Sequence, residues 1–299
     1  DKLYAMVFWI NWKKYIEKNF PILVKATSLK STLSSTPAIQ KITKKAIVDK
    51  LTNKSWAFLM EDIDLPKYEI LTFITDDESY ILLNTSGETL YKRWYKSDTW
   101  EAPIKESLAA WLVILSNWKY SENFYDINCW SWTIVIEAWM FAKNIAPWLK
   151  RHFAFEKRSF VPSELIYKFK KEAKEKIFDK KYNVFASDID EEVLKMAKQN
   201  AKNAWVFDDI TFSKKDLREY KQTQLEWMLI SNPPYGLRLK DDDLYWIYKD
   251  INLILEKNKN SKWWIITSYL DFDRIIKQNN FKKRKLYNWN ELCYFYQKK

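Results

Sequence analysis

Glycine is almost missing from this chain. Its 299 residues hold Gly 2 and Trp 17. At the usual ~7% glycine, a chain of this length would carry about 21. Tight turns and helix ends need a residue that accepts φ > 0 at little cost, and glycine fills that need. Tryptophans stand where such turns are expected: Trp100 before E-A-P, Trp130 and Trp132 in C-W-S-W-T, Trp205 in N-A-W-V and Trp289 in Y-N-W-N. The reading adopted is that the native gene uses UGA for glycine and that UGA is translated here as tryptophan. A genuinely tryptophan-rich protein is the competing reading.

Other shortages narrow the function. The single histidine, His152, excludes His-based metal clusters and argues against a Ser-His-Asp triad. The two cysteines, Cys129 and Cys293, form no metal-ligand spacing. No metal is expected, and a reduced, cytoplasmic setting fits. No apolar run reaches the ~20 residues of a membrane span, so no membrane partner is expected. No G-K-[ST] phosphate loop is present, which argues against a nucleoside triphosphatase. The chain opens on Asp1 in mid-pattern and is expected to lack its true N-terminus.

Positive charge is abundant. Lys+Arg 50 against Asp+Glu 39 gives a net charge of +11. That excess suits a polyanion partner, and a lysine-rich genome produces the same excess. Along residues 1–98 an extended segment (Asn19 to Thr27), a Thr-Pro-initiated helix (Thr36 to Leu51) and two strands (Tyr68 to Ile74, Tyr80 to Asn84) form a small α+β unit. Lys30, Lys44 and Lys45 lie on its basic face as candidate nucleic-acid contacts, although solvated surface is the commoner meaning of such a face.

After a polar boundary at Lys92 to Thr99, residues 99–299 alternate between strand and helix. Strands are expected at Phe124 to Asn128, Tyr182 to Ser187, Ile210 to Phe212, Trp227 to Ser231 and Trp263 to Ser268. A closing hairpin is expected from Lys285 to Tyr287 and Leu292 to Gln297. This order predicts an α/β fold, a mostly parallel sheet covered on both faces.

Chemistry concentrates at the strand ends. The fourth strand of the series runs into N-P-P-Y-G, Asn232 to Gly236. Proline lacks the N–H that a sheet needs and fixes φ near −65°, so the chain turns a stiff corner there. The corner presents an amide, carbonyls and a flat ring where ligands of open α/β sheets bind. It suits an exocyclic amine on a flat base. Upstream, Asp126 leads through Cys129, Trp130, Ser131 and Trp132 to Thr133 at a helix start; with glycine at 130 and 132 the stretch would be a ligand-approach loop. Asp188, followed by Ile189, ends the second strand, where a carboxylate can accept from ribose hydroxyls. Asp216, followed by Leu217, comes after the third, where it can accept from an adenine amino group. A helix cap is the alternative for each acid. Glu137 reads as a polar-face helix residue.

These motifs together resemble the THUMP-domain class I S-adenosylmethionine-dependent RNA methyltransferases, of the bacterial 23S rRNA guanine-N2 group. The likeness rests on E-A-P-I-K-E-S-L-A-A (Glu101 to Ala110), C-x-S-x-T-I-V-I-E-A (Cys129 to Ala138), N-I-A-P (Asn144 to Pro147), F-A-F-E (Phe153 to Glu156), S-D-I-D, N-P-P-Y-G-L-R-L and K-L-Y-N-x-N. K-A-T-S-L-K-S-T-L and K-K-A-I-V-D-K-L carry a weaker likeness to the THUMP region. Where the family expects glycine, Trp stands at 94, 100, 130, 132, 148, 205 and 289. Trp12 and Trp118 fall where tryptophan is unsurprising.

The resemblance implies a Rossmann-like methyltransferase domain, a seven-stranded mostly parallel sheet, preceded by a THUMP-type RNA-binding domain. It implies S-adenosyl-L-methionine held by Asp126, the 129–133 loop, Asp188, Ile189, Asp216 and Leu217. Asn232 and Pro233 would accept the target amine and Tyr235 would stack on the base. Pro234 and Arg238 would lie against the RNA. The substrate implied is 23S rRNA. Guanine-N2 methylation of tRNA, adenine-N6 methylation of nucleic acid, and a non-catalytic RNA-binding protein stand as alternatives.

Overall fold

A computed structural model describes residues 2–17, 19–53, 61–62, 64–96, 104–128, 132–222, 228–235, 241–276 and 281–298. The chain divides into two compact units, Asp1–Thr89 with His152–Phe169, and Leu90–Arg151 with Lys170–Lys299.

In the first unit, strands β1 (Ile22–Leu29), β2 (Tyr68–Thr75) and β3 (Glu78–Leu83) form a sheet in the order β1-β2-β3. β1 and β2 run parallel, and β2 and β3 antiparallel. Alternation does the work on β2: Tyr68, Ile70, Thr72 and Ile74 are buried while their neighbours are half-buried. Helix α2 (Thr36–Leu51) buries Ile39, Ala46 and Ile47 in the same cluster. Each isoleucine contributes about 1.5–3 kcal/mol on leaving water, and the alanine methyl less. Thr43 and Thr72 satisfy each other across that interior at 3.0 Å.

Helix α1 (Lys2–Trp9) was not expected from the sequence. Its run of apolar residues shows little polar contrast, so no helical period stands out. The segment 152–169 packs within this unit. Arg158 donates to the Lys67 carbonyl at 2.9 Å, with its guanidinium 3.6 Å from the centre of the Tyr68 ring.

The second unit holds a seven-stranded sheet. In chain order its strands are β4 (Phe124–Asp126), β5 (Val184–Asp188), β6 (Ile210–Lys214), β7 (Met228–Ser231), β8 (Lys262–Thr267), β9 (Phe281–Asn288) and β10 (Glu291–Lys298). The spatial order is β6-β5-β4-β7-β8-β10-β9. Pairing is parallel from β6 to β8, and β10 is antiparallel to both β8 and β9. The expected mostly parallel sheet is therefore present.

Helices cover both faces. Helices α3 (Glu106–Ser116), α4 (Thr133–Ala142) and α6 (Glu191–Asn203) share one core with Met228, Ile230, Trp264 and Ile266. Helix α7 (Asp241–Lys257) and the short α8 (Phe272–Ile275) share the other with Leu229, Trp263 and Ile265. The period of two along β7 and β8 splits their side chains between these cores. Helix α5 (Ser163–Glu175) has no buried residues and belongs to neither core.

Strand β9 is longer than the sequence suggested because Lys282, Lys283, Arg284 and Lys285 are exposed on it. Charged residues commonly protect a sheet edge in this way. Glu137 corrects its expected place on a polar face. It is buried on α4, accepting from Arg93 Nε at 3.0 Å and Tyr95 Oη at 2.8 Å. Burial raises its carboxyl and the Arg93 charge opposes the rise.

Candidate active site

The order of the sheet reverses between β4 and β7. From β4 the chain builds outward through β5 and β6, then returns to β4's other side for β7 and β8. Loops diverge at such a switch point and leave a crevice at the carboxyl ends of the strands. A cavity of about 560 Å3 opens there, lined by Asn128, Asp188, Ile189, Asp216, Leu217 and Pro234 among others. Trp246 of α7 also faces it and is 58% exposed.

Asp126 closes β4 in a buried position. Ser231, the last residue of β7, donates its hydroxyl to Asp126 Oδ1 at 2.8 Å, which joins the two strands at the switch point. Among the described residues, Asp126 Oδ2 is buried without a donor. So are Asn232 Oδ1, Asn128 Oδ1 and Thr133 Oγ1. Buried acceptors are normally satisfied, and a missing partner costs about 1–3 kcal/mol. Four such oxygens at one sheet edge fit a polar ligand that brings the donors.

Burial pushes Asp126 up to about 8, against the opposing bonds from Ser231 and the Asn128 N–H. Burial likewise pushes Asp188 up to about 6. In the folded, ligand-free protein both therefore hold a proton at pH values where the unfolded chain has lost it. Stability from this source is complete below about pH 4 and is lost as pH rises through about pH 8. Asp126→Asn should melt near the parent at pH 4 and above it at pH 8, measured as melting temperature against pH. Parallel curves for the two proteins would contradict this account of Asp126.

Asp216 behaves oppositely. Arg218 donates Nε to its carboxylate at 2.9 Å and holds it down at about 2. Any amino group that bonds to Asp216 must share it with this guanidinium. Asp190, rather than Asp188, caps α6 by accepting from the Glu192 N–H at 2.8 Å. This leaves Asp188 facing the cavity, with Ile189 beside it 61% exposed.

The N-P-P-Y corner has supports that the sequence did not signal. Tyr248 of α7 donates its hydroxyl to the Pro234 carbonyl at 3.1 Å and is itself in contact with Thr267 at the end of β8. Tyr235 is buried, only 2% exposed, and accepts from Asn288 Nδ2 at 3.3 Å. Asn288 also accepts from the Lys105 N–H at 3.2 Å, tying the corner to the start of α3 and the closing hairpin. With its ring in the core, Tyr235 does not present a stacking face in this state. No spacing rule points to Ser231, Tyr248 or Asn288; only K-L-Y-N-x-N marked Asn288.

Cys129, Trp130, Ser131 and Arg238 lie outside the described residues. Trp132 is the N-cap of α4, with φ 28 and ψ −15. Its side chain is buried and its indole N–H has no acceptor among the described residues. Lys30, Lys44 and Lys45 belong to the first unit. Lys30 and Lys45 are exposed, and Lys44 pairs with Glu61 at 2.9 Å. Among the described residues no group of His, Cys, Asp and Glu is placed to hold a metal. No helix among them is long and apolar enough to cross a membrane.

Residues 93–297 match the UPF0020 family, described as RMKL-like methyltransferase domain, and residues 1–84 match the THUMP domain. The chain is 37% identical to YpsC of Bacillus subtilis (strain 168), named as a candidate RNA methyltransferase. That match covers 96% of this chain and 76% of YpsC. The chain is 34% identical to the ribosomal RNA large subunit methyltransferase K/L of Buchnera aphidicola, over 91% of this chain. It spans only 41% of that protein. Among solved structures, SMU.472, a candidate methyltransferase complexed with SAH, superposes with a TM-score of 0.90 at 34% identity. That likeness covers 99% of this chain and 79% of SMU.472.

Proposed function

Since the chain belongs to the RMKL-like methyltransferase family and carries a THUMP domain, we propose that it methylates N2 of a guanine in 23S rRNA, with S-adenosylmethionine as donor. The observation that carries the reading is Asn232 Oδ1, a buried acceptor without a donor among the described residues, next to the end of β7. An exocyclic amine supplies the missing donor. YpsC and the K/L enzyme, by their names, support RNA as the substrate class. SAH in SMU.472 supports the cofactor.

The cofactor supplies an electrophilic methyl group on a sulfonium; the chain supplies everything else. Asp126, the 129–133 loop, Asp188, Ile189, Asp216 and Leu217 would hold it along the ends of β4, β5 and β6. Asn232 Oδ1 and the Pro233 carbonyl accept the two N–H bonds of the guanine amine. This draws the nitrogen lone pair out of conjugation with the ring and aims it away from the two acceptors. The amine is a weak base whose proton leaves after attack, so a strong general base is unnecessary. Positioning provides most of the rate. The base must leave its helix to reach the corner. Pro234, Arg238 and Tyr235 are its proposed neighbours, and stacking on Tyr235 requires that ring to leave its pocket. Residues 1–98, through Lys30, Lys44 and Lys45, would contact phosphates while residues 99–299 carry the reaction.

A non-catalytic RNA-binding role is favoured by one observation, the bulky Trp132 at the end of the cofactor loop. Nucleoside analysis of rRNA and tRNA from cells lacking the gene separates the readings. Loss of N2-methylguanosine from 23S rRNA is expected. Unchanged N2-methylguanosine there would overturn the rRNA assignment, and its loss from tRNA would move the substrate to tRNA.

A further inference from the structure

We infer that positions 132, 205 and 289 are glycine in the protein as its own cells make it, written in the gene with a UGA codon read there as glycine. The conformation of the backbone points to this independently of composition.

Among the described residues, ten non-glycine positions have φ in the left-handed region. Seven are Asn, Asp or Lys, and the other three are Trp132 (φ 28), Trp205 (φ 62) and Trp289 (φ 58). Asn and Asp reach that region because their short polar side chains bond locally. An indole has no such compensation, and its Cβ meets the carbonyl clash in full. Gly87, the glycine within the described residues, sits there too, at φ 77.

The three positions lie in unrelated parts of the fold, and at two of them the local motif itself requires φ > 0. Trp205 follows the C-cap of α6. Its N–H bonds to the Lys202 carbonyl at 3.0 Å, and the Val206 N–H bonds to the Ala201 carbonyl at 2.9 Å. That pair of bonds is the Schellman motif, with Trp205 at the position that glycine usually takes. Trp289 is the first residue of the two-residue loop between β9 and β10, closed by the pair Asn288 and Glu291. Positive φ at the first central position alone defines a type II′ hairpin turn, which takes glycine there. Trp132 is the N-cap of α4.

Burial does not explain these choices. The Trp205 and Trp289 side chains remain 54% and 44% exposed. Trp12 and Trp118 are the contrast. Both are buried, and neither has a positive φ. Each donates its indole N–H to a backbone carbonyl, of Val7 at 2.8 Å and Glu122 at 2.9 Å respectively. An orphaned indole N–H does not discriminate, since Trp94 and Trp264 share it with Trp132. Backbone conformation does. The same codon would then account, by sequence alone, for Trp100 and Trp130, and for Trp94 and Trp148, whose φ is not positive.

Peptide mass spectrometry of the protein isolated from its own cells tests this, and it does so whatever the substrate proves to be. Glycine masses are expected at 132, 205 and 289; tryptophan masses overturn the inference. Trp205→Gly and Trp289→Gly, made in the chain as it stands, supply a second measurement. Both side chains are exposed, so neither substitution opens a core cavity. Each should raise the melting temperature by roughly 2–4 °C, and variants that melt below the parent overturn the inference.

Discussion

Asn232→Ala should lower kcat for methyl transfer by about 10²–10³-fold and leave S-adenosylmethionine affinity near the parent value. The magnitude is that of removing one preorganised polar contact from a water-poor catalytic site. Two features of the corner justify it. Asn232 Oδ1 is buried and has no donor among the described residues, so the protein bears the cost of its desolvation before any substrate arrives. The corner that carries it is held from two sides, by Tyr248 on the Pro234 carbonyl and by Asn288 on Tyr235. Little rearrangement is therefore left for the moment of reaction. The acids proposed for the cofactor lie at or just beyond the ends of other strands, which separates the two readouts. Single-turnover kinetics together with calorimetric titration of the cofactor checks both. An Ala variant that retains turnover would remove Asn232 from the reaction, and one that loses cofactor binding would make it a structural residue.

Trp132→Gly combined with Trp130→Gly should tighten S-adenosylmethionine binding by at least about tenfold, equivalent to roughly 1.4 kcal/mol. A helix start attracts the polar end of a ligand only if its N–H groups can be approached. Position 132 caps α4 and holds a buried indole at φ 28. Glycine there removes the strain, about 1–2 kcal/mol for a left-handed residue, and glycine at 130 and 132 lets a ligand come close to the backbone. One recovered hydrogen bond to a charged ligand group is worth about 1.5–3 kcal/mol, which covers the expected gain. Melting temperature is a poor readout at this position, because the Trp132 side chain lies within the main core and its loss leaves a void. Calorimetric titration is the suitable measurement. Equal affinity in parent and variant would mean that the loop is not obstructed.

The parallel part of the large sheet could be read in the sequence because its strands are buried on both faces. M-L-I-S and W-W-I-I-T are short apolar runs that end in polar residues at the carboxyl edge, and the same ends mark the site. Strand β9 was only partly legible because its exposed Lys and Arg hide the strand period. Helix α4 misled in the other direction. It is buried almost all round, so the acid at 137 looked like a solvent-facing residue when it is the partner of Arg93 and Tyr95. At the site, the order Asp126, Asp188, Asp216, Asn232 was legible because each acid or amide follows its own strand. What each carboxylate faces was not. The Arg218 clamp on Asp216, the Ser231 bond to Asp126 and the buried ring of Tyr235 depend on side chains brought together by the fold. Trp132, Trp205 and Trp289 were anomalous in the sequence as a matter of composition, and the structure gives each a backbone conformation that explains the anomaly.

The most direct test of the central claim is transfer of isotope-labelled methyl from S-adenosylmethionine to 23S rRNA, by the chain carrying glycine at 130, 132, 205 and 289. The rRNA would come from cells that lack the gene, and the product would be identified as a nucleoside. Label in N2-methylguanosine, formed about 10²–10³-fold more slowly with Asn232→Ala, is the predicted result. Label in N6-methyladenosine, or no label despite measured cofactor binding, would contradict it.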